Sequence, residues 1–134
     1  MVHASLRNLQ KAFQRQRPPG LLPTQSQNLL LFYAVECGLK AAFLKRNRLS
    51  DTSAMEAELK EKGHDLAFWA KKLYLPAIIA GANLNFRLRA GTGRLGVGFA
   101  HQAWRYGQDI EREDEIVIEE WLKKVSQWAK EELS

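Results

Sequence analysis

Cysteine is nearly absent from this chain of 134 residues, which contains one, Cys37. A single thiol cannot build a disulfide framework or a cysteine-based zinc site. The chain also lacks an apolar run approaching the roughly 20 residues that a membrane-spanning helix needs. The polar, basic stretch from Met1 to Arg17 lacks the apolar centre of a secretory signal peptide. We therefore expect a soluble cytoplasmic protein without a membrane partner.

Acidic side chains are scarce in residues 1–50, where Glu36 is the one acid beside eight lysines and arginines. Residues 111–134 reverse this balance, with eight acids and four bases. A basic first half attracts RNA or an acidic protein face, and an acidic end attracts a basic partner. The net charge of +5 is modest for a dedicated nucleic-acid binder, so we expect most of these charges to be solvated.

Helical periodicity accounts for most of the chain, and no stretch shows the sustained alternation that predicts a strand. Residues 27–46 are apolar on nearly all sides, which is typical of a buried central helix. Four glycines within residues 87–98 predict an irregular loop. We expect one all-α domain over residues 1–134, a bundle of about five helices. Residues 1–20 contain an N-terminal helix and a Pro-Pro-Gly break, and residues 24–134 form the core. The predicted helices span residues 3–17, 27–46, 54–62, 65–74, 99–106 and 111–133.

Several polar residues fall where the predicted bundle is apolar. Glu36 and Lys40 are four residues apart in the central helix, so Glu36 can pair with Lys40 or with Arg105. His64 and Asp65 start the next helix, where one of them caps it or Asp65 orients His64 as a general base. We predict a structural polar cluster of these five residues. The alternative is a ligand pocket lined by Glu36, Lys40 and Arg105, for example for a nucleotide. No metal or other cofactor is expected, because the histidines do not share helical ligand spacing.

Three short segments carry a family pattern. Residues 32–41 read Phe-Tyr-Ala-Val-Glu-Cys-Gly-Leu-Lys-Ala, residues 63–66 read Gly-His-Asp-Leu, and residues 103–107 read Ala-Trp-Arg-Tyr-Gly. In this order and spacing, over residues 25–130, the chain resembles the HEPN superfamily of small prokaryotic helical domains. The resemblance implies a bundle of four to five helices, frequent dimers, and a role in bacterial conflict systems such as toxin–antitoxin pairs.

Many HEPN proteins are metal-independent RNases that use an arginine followed, after four to six residues, by a histidine. Arg94 and His101 are separated by six residues and match the outer limit of this spacing. In such a pair the imidazole takes a proton from a ribose hydroxyl and the guanidinium binds the phosphate. However, an apolar residue follows Arg94, and Gly96 and Gly98 interrupt the spacer. The alternative is a loop arginine and a histidine that positions Trp104.

These departures favour a non-catalytic binding protein of a bacterial conflict system, most concretely an immunity protein or antitoxin that neutralises a nuclease toxin. The alternatives are a metal-independent endoribonuclease that uses Arg94 and His101, and an RNA- or nucleotide-binding module without chemistry. A homodimer is a further expectation. The predicted partner-binding residues, in the glycine-rich loop and at the acidic start of the last helix, are Arg89, Arg94, Glu111, Glu113, Asp114 and Glu115.

Overall fold

The computed structural model describes residues 5–7, 9–10, 24–51, 62–76, 79 and 84–134 of the chain. This part of the protein is predominantly helical and contains one small antiparallel sheet. Its elements are α1 (Thr24–Arg46), α2 (Leu66–Lys72), β1 (Asn85–Phe86), β2 (Leu95–Gly96), a 3-10 helix (Val97–Phe99), α3 (Ala100–Arg105) and α4 (Arg112–Leu133). Among the described residues, no helix is long and apolar enough to span a bilayer.

Helix α1 lies at the centre of the described fold, as its apolar sequence predicts. Phe32, Leu39 and Leu44 on this helix are completely buried. The helix packs most extensively against α4, and then against α3 and α2. Because every face of α1 meets a neighbour, a sequence with almost no polar face is stable here as a helix.

Helix α4 covers α1 with an apolar stripe. Ile118, Leu122 and Val125 are completely buried, whereas most charged residues of this helix face solvent. Glu132 joins the ends of the two helices, because its side chain accepts a hydrogen bond from Arg46 Nε at 2.8 Å. The pattern of one apolar and one charged face therefore predicts both the helix and its orientation.

The prediction that the chain contains no strands is wrong for the glycine-rich segment. Strands β1 and β2 form a hairpin in which Phe86 pairs with Leu95, and Phe86 is completely buried. Leu88 forms a further antiparallel bridge with Ile110, just before α4. Two-residue strands are too short to show alternation, and their pairing depends on contacts with distant residues. The segment 87–98 is therefore a hairpin loop, a strand and a 3-10 turn that lead into α3.

Other predicted elements fall partly or wholly outside the described residues. Of the N-terminal helix, residues 6–7 and 9–10 are helical, and Leu6 N donates to Ser50 O at 2.8 Å. The Pro-Pro-Gly break lies outside the description, as does the predicted helix at 54–62 apart from a turn at its end. The helix predicted at 65–74 ends earlier in the structure, at Lys72, and Tyr74 just beyond it adopts a left-handed backbone conformation with φ of 55°.

We expect Leu39→Ala to lower the free energy of unfolding by about 2–5 kcal/mol, because it leaves a cavity beside α1. The matched control is Val117→Ala, at a side chain that is 53% exposed, where the change should stay within about 0.5 kcal/mol. Urea unfolding followed by tryptophan fluorescence measures both values. Equal effects of the two substitutions would contradict the central position of α1.

Candidate functional site

Two histidines that are distant in the sequence lie side by side in the structure. His64 belongs to the turn before α2, and His101 lies in the first turn of α3. The centroids of their rings are 4.4 Å apart, and the ring planes are inclined by 35°. We call the group formed around them the paired-histidine cluster. Its members are Tyr33, Glu36, Lys40, His64, His101 and Arg105.

Glu36 fixes the ring of His64. Its Oε1 lies 2.5 Å from His64 Nδ1, and its Oε2 accepts a hydrogen bond from Lys40 Nζ at 3.0 Å. The Glu36 side chain is 12% exposed, whereas that of His64 is 55% exposed. Since an ionised carboxylate can only accept, Nδ1 of His64 carries the hydrogen of this bond. The other ring nitrogen, Nε2, is then the one available to a ligand.

His101 is held by a different acceptor. Its Nδ1 lies 2.8 Å from the carbonyl oxygen of Gly98, and its ring packs against Phe32 with centroids 5.0 Å apart. Because a carbonyl oxygen only accepts, Nδ1 donates and Nε2 carries the lone pair. Burial, and next the nearby His64, hold the pKa of His101 below its ordinary value of 6.5. His101 is therefore neutral at pH 7.

A cation completes the cluster. A terminal nitrogen of Arg105 donates a hydrogen bond to the Tyr33 hydroxyl, and the guanidinium carbon lies 5.5 Å from the centroid of the Tyr33 ring. The same Tyr33 ring lies 6.1 Å from His101 and 6.4 Å from His64, measured between centroids. Arg105 is exposed and is four residues beyond His101, on the same face of α3. That spacing is the sequence signal that could have identified this arginine as the partner of His101.

Arg94 has other partners. Its guanidinium donates to the side chain of Asn85 and, at 3.1 Å, to Asp114 Oδ1. This ties the hairpin to the start of α4. His101, in contrast, packs against residues of α1 and the turn that holds His64. The structure thus gives the two members of the predicted motif separate contacts, and it brings Arg105 rather than Arg94 to the histidines.

The predicted partner-binding residues divide into two groups. Glu115 does not lie on the surface as expected: it is 8% exposed and accepts hydrogen bonds from Trp104 Nε1 at 3.0 Å and from Arg112 at 2.5 Å. Asp114 is half-buried and holds Arg94. Their carboxylates satisfy donors within the fold. The remaining four, which are exposed, are Arg89, Arg94, Glu111 and Glu113.

The contacts of Asp65 and the burial of Cys37 give each of these residues a place in the fold. Asp65 caps α2, because its Oδ1 accepts a hydrogen bond from the backbone nitrogen of Phe68 at 3.1 Å. Its carboxylate is thus used at the helix start, and Glu36 instead contacts the ring of His64. Burial, followed by the nearby charge of Glu36, raises the pKa of Cys37 to about 11. The thiol is therefore protonated at neutral pH.

Comparisons of this chain with protein-family models, curated proteins and solved structures found no match. Membership of the HEPN superfamily thus stays a prediction from the motifs. Among the described residues, no group of three or more histidine, cysteine or acidic side chains is arranged to hold a metal ion. The paired-histidine cluster is the site from which a function can be argued.

The lowered pKa of His101 predicts a pH-dependent stability. The unfolded chain takes up this proton at a higher pH than the folded chain does. The free energy of unfolding therefore falls as the pH drops through 6.5 and is fully regained above it. Urea unfolding at about pH 7.5 and about pH 5.5 measures the loss. His101→Gln should flatten this dependence, and an equal loss in both proteins would contradict the assignment.

Proposed function

We propose that this protein binds RNA at the paired-histidine cluster and cleaves its phosphodiester bonds without a metal ion. The observation that carries the proposal is the arrangement of His64 and His101, whose ring centroids are 4.4 Å apart. Each Nδ1 is held by a fixed acceptor within the protein. Neighbouring imidazoles with defined tautomers, next to an exposed arginine, supply the proton acceptor and the phosphate ligand that cleavage requires. Many members of the HEPN superfamily, which the chain resembles, catalyse this class of reaction.

His64 is the residue that meets the substrate, because its ring is the more exposed of the two. Its Nε2 removes the proton from a ribose 2′-hydroxyl. The freed oxygen then forms a bond to the adjacent phosphorus, and the bond from phosphorus to the 5′-oxygen breaks. The departing 5′-oxygen takes up a proton from the solvent, and His64 releases its own. The products are a cyclic phosphate and a free 5′-hydroxyl.

The other residues of the cluster bind or position. Arg105 is exposed and presents a guanidinium next to the rings, where it can bind the phosphate as negative charge develops. Glu36 acts through His64, since it fixes the tautomer and gives the protonated ring a counter-ion. His101 stays neutral next to His64. The positive charge that His64 gains with the proton is therefore not repelled by a second charged imidazole.

Cleavage of a single-stranded RNA oligomer in the presence of EDTA tests this function. We expect His64→Ala to lower kcat by about 10²–10⁴-fold, the usual contribution of a general acid or base. Lys72→Ala removes one exposed positive charge at the end of α2 and serves as the matched control. DNA of the same sequence should stay intact, because it lacks the 2′-hydroxyl. An RNA that is not cut, or is cut equally by wild type and His64→Ala, would refute the proposal.

The same assay separates the two possible arginines. The paired-histidine cluster requires a loss of cleavage in Arg105→Ala, because this side chain lies over the Tyr33 ring of the cluster. The motif predicted from sequence spacing requires that loss in Arg94→Ala. Since Arg94 also bonds to Asp114, the unfolding free energy of that variant must be measured with its activity.

A second candidate function, a binding protein of a conflict system such as an immunity protein, is favoured by a separate observation. Ile116 and Val117, near the start of α4, are 44% and 53% exposed. Exposed acids flank them at Glu113 and Glu120. An apolar pair with an acidic rim fits a basic protein partner, because the apolar groups supply burial and the charges steer association.

Co-expression with a nuclease encoded next to this gene tests the second candidate. We expect the wild-type chain to relieve the toxicity of the nuclease and a variant with Ile116→Asp and Val117→Asp to fail, because charges cannot be buried in the interface. Lys124→Asp, at an exposed position of the same helix, controls for added acid. Relief by both variants alike would exclude this surface as the contact.

A further inference from the structure

We propose that Gly98 is a positioning residue, which holds His101 against His64 because it has no side chain. The inference rests on the proposed function for its catalytic consequence. Its structural basis is independent of any activity. Gly98 lies in the 3-10 helix that leads directly into α3, the helix of His101.

The space at Gly98 accepts a side chain only if the neighbouring backbone shifts by a few tenths of an ångström. A Cβ atom added there would lie 3.0 Å from the carbonyl oxygen of His64 and 3.2 Å from Cα of Asp65. Both are backbone atoms, so no side-chain rotation would relieve the contact. The 3-10 helix would have to move away from the turn that carries His64.

Gly98 also contacts the second histidine directly. Its carbonyl oxygen accepts the hydrogen bond from His101 Nδ1 at 2.8 Å. One residue therefore touches the backbone of His64 and orients the ring of His101. Any displacement of Gly98 is transmitted to the separation of the two rings.

Nearby Gly96 provides a matched control. Its backbone has φ of −68°, which other residues adopt readily, and a Cβ atom there would meet nothing within 4 Å. Alanine at position 96 is therefore compatible with the same backbone, whereas alanine at position 98 requires a shift of a few tenths of an ångström. The two substitutions are chemically identical and lie in the same turn of the chain.

Separation of the rings alters the environment of His101. The charged or titratable groups that face His101 are His64 from the turn before α2, Glu36 and Tyr33 from α1 and Arg105 from its own helix. Moving His64 away reduces both the burial of His101 and the charge next to it. These are the two main causes that lower its pKa, so the pKa rises toward 6.5. A charged His101 would then oppose the uptake of a proton by His64.

The experiment is a proton NMR titration of the histidine rings in the full chain, for wild type, Gly98→Ala and Gly96→Ala. We expect the inflection of His101 to move upward toward 6.5 in Gly98→Ala and to stay unchanged in Gly96→Ala. In the cleavage assay, Gly98→Ala should lower kcat by less than the roughly 10²-fold loss that a misplacement of about 1 Å causes, because the shift at Gly98 is a few tenths of an ångström. The loss should be larger at acidic pH, where His101 becomes charged.

A folded Gly98→Ala protein whose His101 titrates as in wild type would overturn the inference. If Gly98→Ala does not fold, His64→Gln tests the same coupling with the glycine in place. An unchanged His101 titration in that variant would also overturn it, because proximity to His64 would then have no effect. The titration needs no substrate. A wild-type protein that cuts no RNA therefore defeats the proposed function, whereas the titration alone decides the role of Gly98.

Discussion

The arrangement of the described fold depends on a carboxylate in the middle of an apolar helix. Glu36 belongs to α1, which is covered by α2, α3 and α4, and its side chain is 12% exposed. A charge in such a place must be paired, because an uncompensated charge inside the protein is destabilising. Lys40 and His64 fill this requirement, one from the same helix and one from the turn before α2. The pairing therefore fixes that turn against α1 and determines where the ring of His64 points.

The sequence predicts the parts of this arrangement that depend on local spacing. Residues 27–46 are identified as a buried helix because their apolar residues leave no polar face, and the pairing of Glu36 with Lys40 follows from their separation by one helical turn. The short strands could not be predicted, because two residues carry no periodicity. The contact between His64 and His101 could not be predicted either, since it depends on how the 3-10 helix packs on a distant turn.

Arg94 shows how spacing along the chain differs from proximity in space. Six residues separate it from His101, but those residues form a strand and a 3-10 turn rather than a helix. The strand directs Arg94 toward the start of α4, where Asp114 is available. Arg105 follows His101 within α3 and therefore shares its face. The spacing of a motif indicates proximity in space only when the residues between its members have the expected secondary structure. The residues between Arg94 and His101 do not have it.

Burial of Cys37 in α1 has a practical consequence for following the molecule in solution. Its pKa of about 11 compares with the ordinary value of 9.0, so an introduced surface cysteine carries roughly 100-fold more thiolate at neutral pH. Thiol-directed dyes react with the thiolate. A reporter can therefore be attached at a chosen exposed position while the natural cysteine stays in place. The protein is thus suited to fluorescence and spin-label measurements without first replacing a residue of its central helix.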